Sequence, residues 1–526
     1  MINDLNHWDG AVIETTICII GSGAAGISLA LEFINSGTDV TMLESGGKLY
    51  EPQTQSLYDS NIVGLPHNSI HAGRGRILGG TTTLWAGQAL PLNEIDFERR
   101  DWVDRSGWGF TRQDLAPYYR RAEVVMNLPA SSYDGDQWCK SHLPAPEFDH
   151  QSLEAVISQF SPTPNFGQRY YQELLAATNI NVLLHANAIN IHTNPDSNAV
   201  EWVDVKSLGG KTAQIKAKYY VICCGAIETA RLLLASNRIE ANGLGNQYDL
   251  VGRYFQEHLQ YPVGPITPQQ RRVFNRTFTA HKYRGIKYHP QFAFAAHAQE
   301  QFQVLNAVGG IYYPPSADSA IEAVKVVLKA LKQKHLRRQL PKALFNILRH
   351  PNQLIAAAYR YLILRQPAQD TSGMPHLGIA TEQQPNPDSR VYLGDEVDAL
   401  GMRRVCLDWR VTDLDKRTAE IFVQVINQEF QRLHLGTIDL TNFQLPESSQ
   451  DLAGHLNDAS HHMGTARMGA DPRHGVVDYD CRLHHIHNLY IGSSAVFPTG
   501  GASNPTLTII ALCLRLSDHL KARLAA

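Results

Sequence analysis

Two short apolar runs, at residues 16–20 and 39–43, flank a glycine-rich turn and a stretch of helix-forming residues. The runs are too short for buried helices and rich in β-branched side chains, so they predict strands. Residues 24–35 predict the intervening helix, with Gly37 as its C-cap. Strand, helix and strand make a βαβ unit of about thirty residues. A β pattern returns at residues 182–184, 188–192, 201–205 and 212–215, with turns at Asp196 and Gly209-Gly210. Residues 219–224 predict another buried strand, which Gly225 turns into a helix over 226–235. Residues 270–312 predict strands of a second, more antiparallel sheet, and 390–393 and 405–407 add strand-like pieces. An amphipathic helix is predicted over 414–433, a strand over 488–491, and a closing helix from Thr506 to about Ala522. Residues 96–170 show no long regular period, and no internal repeat supports a solenoid. The pattern predicts an α/β protein: a Rossmann-like domain with a second, α+β domain carrying a mainly antiparallel sheet.

Composition narrows the class. A chain of 526 residues exceeds one minimal domain, and 43% hydrophobic with 18% charged residues describes an ordinary globular protein. A net charge of −3 gives no overall field for nucleic acid. Residues 1–8 carry no positive and apolar leader pattern, and no apolar run is long enough to span a bilayer, so a cytoplasmic location is expected. The seven cysteines (Cys18, Cys139, Cys223, Cys224, Cys406, Cys481, Cys513) are odd in number and lack zinc spacing. They predict reduced thiols acting as small hydrophobes, and no metal site is expected.

Gly21, Gly23 and Gly26 match G-x-G-x-x-G at the strand-to-helix turn. The first allows the tight turn, the second lets backbone approach a pyrophosphate, and the third lets helix and strand pack closely. Glu44 ends the next strand, where a carboxylate can accept from a ribose hydroxyl. Dinucleotide binding follows, with NAD and FAD both open at this point. Gly79, Gly80, Thr81 and Thr82 offer a second set of close backbone amides for a long cofactor.

Two C-terminal segments carry further chemistry: His461-His-Met-Gly-Thr-Ala-Arg-Met-Gly469, and residues 488–508, which include Gly-Gly-Ala-Ser-Asn504-Pro-Thr. With the glycine fingerprint, the run from Gly75 to Thr82, residues 225–236 and Gly252-Arg-Tyr-Phe-Gln-Glu-His258, the sequence resembles the glucose–methanol–choline (GMC) oxidoreductases over nearly the whole chain. Its pattern is most similar to the branch of pyranose oxidases and gluconate and fructose dehydrogenase large subunits. The resemblance implies FAD and oxidation of an alcohol CH–OH to a carbonyl by hydride transfer to the flavin. His461 then falls on the general base and Asn504 on the residue orienting the substrate oxygen. A neutral imidazole titrates near working pH and can take the hydroxyl proton, and an amide can hold the alkoxide oxygen. His462 is expected to point away from its neighbour, and Asn504 has an N-cap of the last helix as its alternative role. Ala188, Gly492, Ser493, Pro505 and Thr506 are further candidates for cofactor contact, Thr506 at a positive helix end.

The FAD domain is expected in three stretches, residues 11–95, 175–262 and 455–526. Residues 96–174 and 263–454 are expected to form the substrate domain. A small alcohol is the implied substrate, of sugar or polyol type, with oxygen, a quinone or another protein as electron acceptor. A non-redox lyase or decarboxylase on the same fold is the alternative function. Leu84 stands where several family members carry a flavin-linking histidine, so FAD is expected to be non-covalent. Trp85 and Ala230 also depart from common family residues, and Ser493 stands where Asp is frequent. A helix-rich segment at 317–365, broken by Pro341 and Pro351, has no acid after Glu322. Residues 323–365 are expected to form either an amphipathic lid or oligomer contact, or a dock for an anionic membrane or a carrier-bound or phosphorylated substrate.

Overall fold

The structure, a computed structural model, describes all residues except 143–145, 315–317, 333–339, 364–369 and 449–450. The first apolar run lies at the end of a nine-residue strand, Val12–Ile20, with its last four residues buried. It pairs in parallel with Val40–Leu43 on one side and Thr212–Ile222 on the other. Ile180–Leu184 and Ile2–Asp4 extend the sheet beyond Val40–Leu43. Thr212–Ile222 does two jobs on its far side. Its first residues pair antiparallel with Val200–Lys206, and its last three pair in parallel with Leu489–Ile491. The pattern predicted two strands here, at 212–215 and 219–224. They are one, because the chain runs from a half-exposed edge, where burial alternates, into a centre buried on both faces.

The fingerprint helix spans Ala24–Leu31 and stops short of the predicted residue 35. Residues 32–36 close in tight turns, with Asn35 in the left-handed region at φ 60°. The helix Gly225–Ala235 and the last helix, Thr506–Ala525, form where expected. A nine-stranded sheet makes the second layer, with Leu259–Pro268, His376–Thr381, Ala307–Tyr312, Ile286–Phe294 and Leu153–Phe160 as antiparallel neighbours. Residues 270–312 are not all strand. Arg271–Phe278 is a helix, burying Phe274, Thr277 and Phe278 at helical spacing, and Ala296–Phe302 is another.

Within the stretch that lacked a regular period, Arg112–Val125 is a helix opened by a reciprocal cap between Thr111 and Asp114. It packs on the last helix. Tyr119 Oη lies 2.9 Å from Thr508 Oγ1, and Arg121 pairs with Asp518 at 2.6 Å and Glu32 at 2.8 Å. Residues expected in the substrate domain thus brace the cofactor side. The six described cysteines are unpaired.

Candidate active site

A cavity of about 600 Å³ is lined by residues of both large sheets. Three helices of eight residues or more begin at its wall: Ala24–Leu31, Gly225–Ala235 and Thr506–Ala525. None has a side chain capping its first amides. Unspent N–H groups and the positive ends of three helix dipoles therefore border one space. An anionic ligand with several charged or electron-accepting parts suits that space.

The glycines of the first turn show how a ligand would lie there. Gly21 adopts φ +111°, and a Cβ on it would sit 2.7 Å from the Cys223 carbonyl oxygen. A Cβ on Gly26 would stand 1.9 Å from the Gly21 carbonyl oxygen, so this glycine sets helix–strand packing. Gly23 lines the cavity with nothing within 4 Å of its missing Cβ, which leaves its backbone open to a bound group. Glu44, buried at 4% exposure, lines the same wall. Its carboxylate accepts from Ser22 Oγ at 2.5 Å and from the Gly46 N–H at 2.9 Å. Burial still raises its pKa above the ordinary carboxylate range. Arg74 and Arg76 also reach the cavity, and both pair with Glu228, at 2.8 and 2.7 Å. Burial would raise the Glu228 carboxyl, but Arg76, Arg231 and Arg74 bring it down to about 2.

Gly80, Thr81, Thr82, Ala188, Ser493, Pro505 and Thr506 all line the cavity. Gly79 and Gly492 do not. Gly79 packs against Gly167, whose N would lie 2.5 Å from an added Cβ, and its own N–H bonds the Ser22 carbonyl at 3.0 Å. Gly492 is pressed between the sulfurs of Cys223 and Cys513. Both are packing residues, a distinction that glycine spacing does not carry. Leu84, half exposed, and Trp85 line the cavity after Thr82. The Trp85 ring is held by its Nε1–H on the Pro164 carbonyl at 2.8 Å.

His461, His462 and Asn504 meet at the same cavity. An antiparallel bridge between Gln256 and Met463 brings the segment ending in Glu257-His258 against the two histidines. His461 and His462 do not lie on a named strand, yet they take different partners. His461 Nδ1 is 2.8 Å from His258 Nδ1, and its Nε2 is 3.4 Å from Asn504 Nδ2. His462 Nε2 lies 3.6 Å from Glu257 Oε2, with its ring near His67. The last helix is not capped by the Asn504 side chain.

The protonation pattern follows from the acceptors. His258 Nε2 lies 2.8 Å from the Gly501 carbonyl oxygen, which can only accept. A neutral His258 therefore carries its proton on Nε2 and accepts at Nδ1. His461 must donate from Nδ1, which leaves its Nε2 lone pair facing the cavity and Asn504. Burial, and then the neighbouring His258, hold the His461 pKa well below the ordinary histidine value. The ring is thus neutral at neutral pH, with its Nε2 lone pair free to accept a proton.

Glu257 anchors this arrangement. Its Oε1 accepts the backbone N–H of His461 at 2.7 Å and of His258 at 2.9 Å, and its Oε2 faces His67 Nε2 at 3.4 Å. His67, Glu257 and His462 bring three metal-ligating atoms within 4.8 Å of one another, a cluster drawn from three remote segments. Glu382 holds the other side. It accepts the Gly501 N–H at 3.2 Å and pairs with Arg100 in two bonds of 2.7 and 2.8 Å, with both side chains at 1% exposure or less. The sequence marked neither Arg100, Glu382 nor His67. Glu257 and His258 stood in a quoted motif without a role.

The profiles of the GMC oxidoreductases match residues 166–260 and 385–513. The 6'''-hydroxyparomomycin C oxidase of Streptomyces lividus is 25% identical over 97% of this chain and 92% of its own. The fructose dehydrogenase large subunit of Gluconobacter japonicus is 22% identical over 97% of this chain and 98% of its own. The fold is shared with a solved formate oxidase of Aspergillus oryzae RIB40, with a TM-score of 0.57 at 15% identity, covering 98% of this chain and 99% of that one. The profile matches and these relatives support an FAD-binding oxidoreductase acting on CH–OH donors. The chain is thus similar to the GMC oxidoreductases, in both profile-matched stretches and along nearly its full length in these relatives.

Proposed function

We propose that this chain oxidises a polyol-like alcohol, of the sugar type, with His461 as general base and Asn504 orienting the substrate oxygen. The observation that carries the reading is the chain from Gly501 through His258 to His461, which leaves one imidazole lone pair beside an amide in the cavity. His461 Nε2 takes the hydroxyl proton, which makes the adjacent C–H bond a better hydride donor. Bound FAD supplies the acceptor for that hydride. Asn504 donates to the same oxygen and steadies the negative charge that grows on it. The imidazolium left behind keeps its Nδ1–H on His258, and Glu257, bonded to its backbone, balances the charge. Gln88 and Gln260 also line the cavity, and their amides suit a substrate with several hydroxyls. The test is anaerobic mixing with a panel of sugars and simple alcohols, followed by flavin bleaching, with oxygen uptake and dye reduction run in parallel. A panel that leaves the flavin oxidised would overturn the reading.

His258 acts through His461 as a positioning residue. Its removal in His258→Leu is expected to lower kcat about tenfold with little change in KM, because the imidazole loses its fixed tautomer. His258→Asn, which restores an acceptor, is expected to recover most of the rate. In the wild-type enzyme, kcat/KM is expected to rise with pH on the acid side of the ordinary histidine value of about 6.5 and to stay flat through neutrality. In His258→Leu that rise shifts. A rate loss without any change in the pH profile would assign His258 a structural role only.

The flavin is non-covalent in this reading, because Leu84 offers no nucleophile. Acid precipitation is expected to leave the yellow colour in the supernatant. Colour in the pellet would show a linkage through some other side chain.

A further inference from the structure

We propose that residues 340–362 form a docking surface that lies in the plane of an anionic lipid bilayer. Two consecutive helices, Leu340–Arg349 and Pro351–Leu362, make up this surface. The first turns Ala343 and Asn346 inward. It turns Leu344, Phe345 and Leu348 outward, at 51%, 60% and 80% exposure. These sit at i, i+1 and i+4, one contiguous face. The second presents Ile355, Tyr359 and Leu362 at i, i+4 and i+7, at 71%, 56% and 64% exposure. Eight of the 25 large apolar side chains described as exposed fall within residues 344–363. A clustered patch of this kind marks an interaction site rather than scattered surface apolarity.

Charge selects the occupant. Residues 323–369 hold ten Lys or Arg and no Asp or Glu, whereas the rest of the chain has 37 bases against 50 acids. Lys342 and Arg349 are exposed at helical positions bordering the apolar face of the first helix. An apolar face with an aromatic and a basic flank is the pattern of a helix that sinks into the headgroup boundary of an anionic membrane. A second copy of this chain would bring two such basic faces together, which repel. Among the described residues, no helix is long and apolar enough to cross a membrane, so the segment lies on the bilayer and does not span it. The surface is tied to the body of the protein. Lys282 Nζ stands 5.6 Å from the Tyr361 ring centre, and Gln353 Oε1 accepts the Ala320 N–H at 2.8 Å.

The experiment is flotation of the full-length holoprotein with vesicles of phosphatidylcholine, alone or mixed with phosphatidylglycerol, at low and high salt. Binding is expected with the mixed vesicles and is expected to weaken with salt. Phe345→Ser with Leu348→Ser is expected to weaken partitioning at least tenfold, about 1.4 kcal/mol. Lys342→Gln with Arg349→Gln is expected to weaken the salt dependence, since eight of the ten basic residues of the segment remain. These side chains are exposed, so bound flavin, melting temperature and turnover of a soluble alcohol should be unchanged in both variants, which separates this proposal from the function above. Three outcomes would overturn it: no binding to mixed vesicles at low salt, binding unaltered by the serine variant, or a concentration-dependent dimer that the serine variant dissolves.

Discussion

Replacing His461 with alanine is expected to slow alcohol-driven flavin reduction by about 10²–10⁴-fold while FAD stays bound. The loss corresponds to about 2.7–5.4 kcal/mol of barrier, at about 1.36 kcal/mol per decade. Nothing in the cofactor-facing turn is touched: the three uncapped helix ends, Gly23 and Glu44 all lie on other segments. The ratio of flavin to protein absorbance should therefore match wild type. The residual rate should climb with pH, as solvent base replaces the imidazole. His462→Ala supplies the contrast. Its Nε2 faces Glu257 rather than Asn504, so the variant is expected to keep most of the chemical step. Stopped-flow reduction under anaerobic conditions measures both variants. Equal losses in the two would sink the assignment of the base.

Arg100→Met is expected to destabilise the protein by about 3–5 kcal/mol, because it strands a buried carboxylate. Burial alone would raise the Glu382 pKa. The Arg100 guanidinium and the backbone donors of Asn306 and Gly501 outweigh that and hold it below the ordinary value. In wild type, Glu382 therefore stabilises the fold above the unfolded carboxyl pKa of about 4.3, and that contribution fades as pH falls through the lower folded value. Without Arg100 the direction reverses. Burial raises the folded pKa, and the deficit is full above it and shrinks on acidification as the carboxyl takes up a proton. Urea unfolding of wild type and variant across mildly acidic to neutral pH is the measurement, and a gap independent of pH would refute the account. The double variant with Glu382→Gln is expected to recover part of the loss. The pair also matters to the site, since Glu382 holds the Gly501 N–H whose carbonyl fixes His258.

What could be read from the sequence and what could not divide along a physical line. The βαβ unit, Glu44 and the last helix are carried by local period and by motifs with fixed spacing, whereas the pairing of His461 with Asn504 was implied only by the family resemblance. The helix Arg112–Val125 had a local signal too, the Thr111–Asp114 cap, hidden by a mixed polar composition. Arg271–Phe278 was read as strand because short apolar spacings fit either period. The support of the base is another matter. His258 is 203 positions from His461, Arg100 is 282 from Glu382, and His67 meets Glu257 only across the fold. No local pattern encodes such contacts. Glycine spacing likewise could not tell Gly23, open to a ligand, from Gly79, which packs on Gly167.

The order of strands in the parallel sheet bears on how the protein is made. Val12–Ile20 waits for Thr212–Ile222, and that strand waits for Leu489–Ile491. The helix carrying Thr506 arrives later still. Pairings this distant along the chain close slowly, since each must overcome the entropy of a long loop. During synthesis the first βαβ unit emerges early with its strand edge unpaired, a liability for association with other chains. The cavity gains its third helix end only when the C-terminal stretch leaves the ribosome. An anionic cofactor would meet the complete set of helix ends only after this stretch has folded in, and could not stabilise the earlier pairings before then.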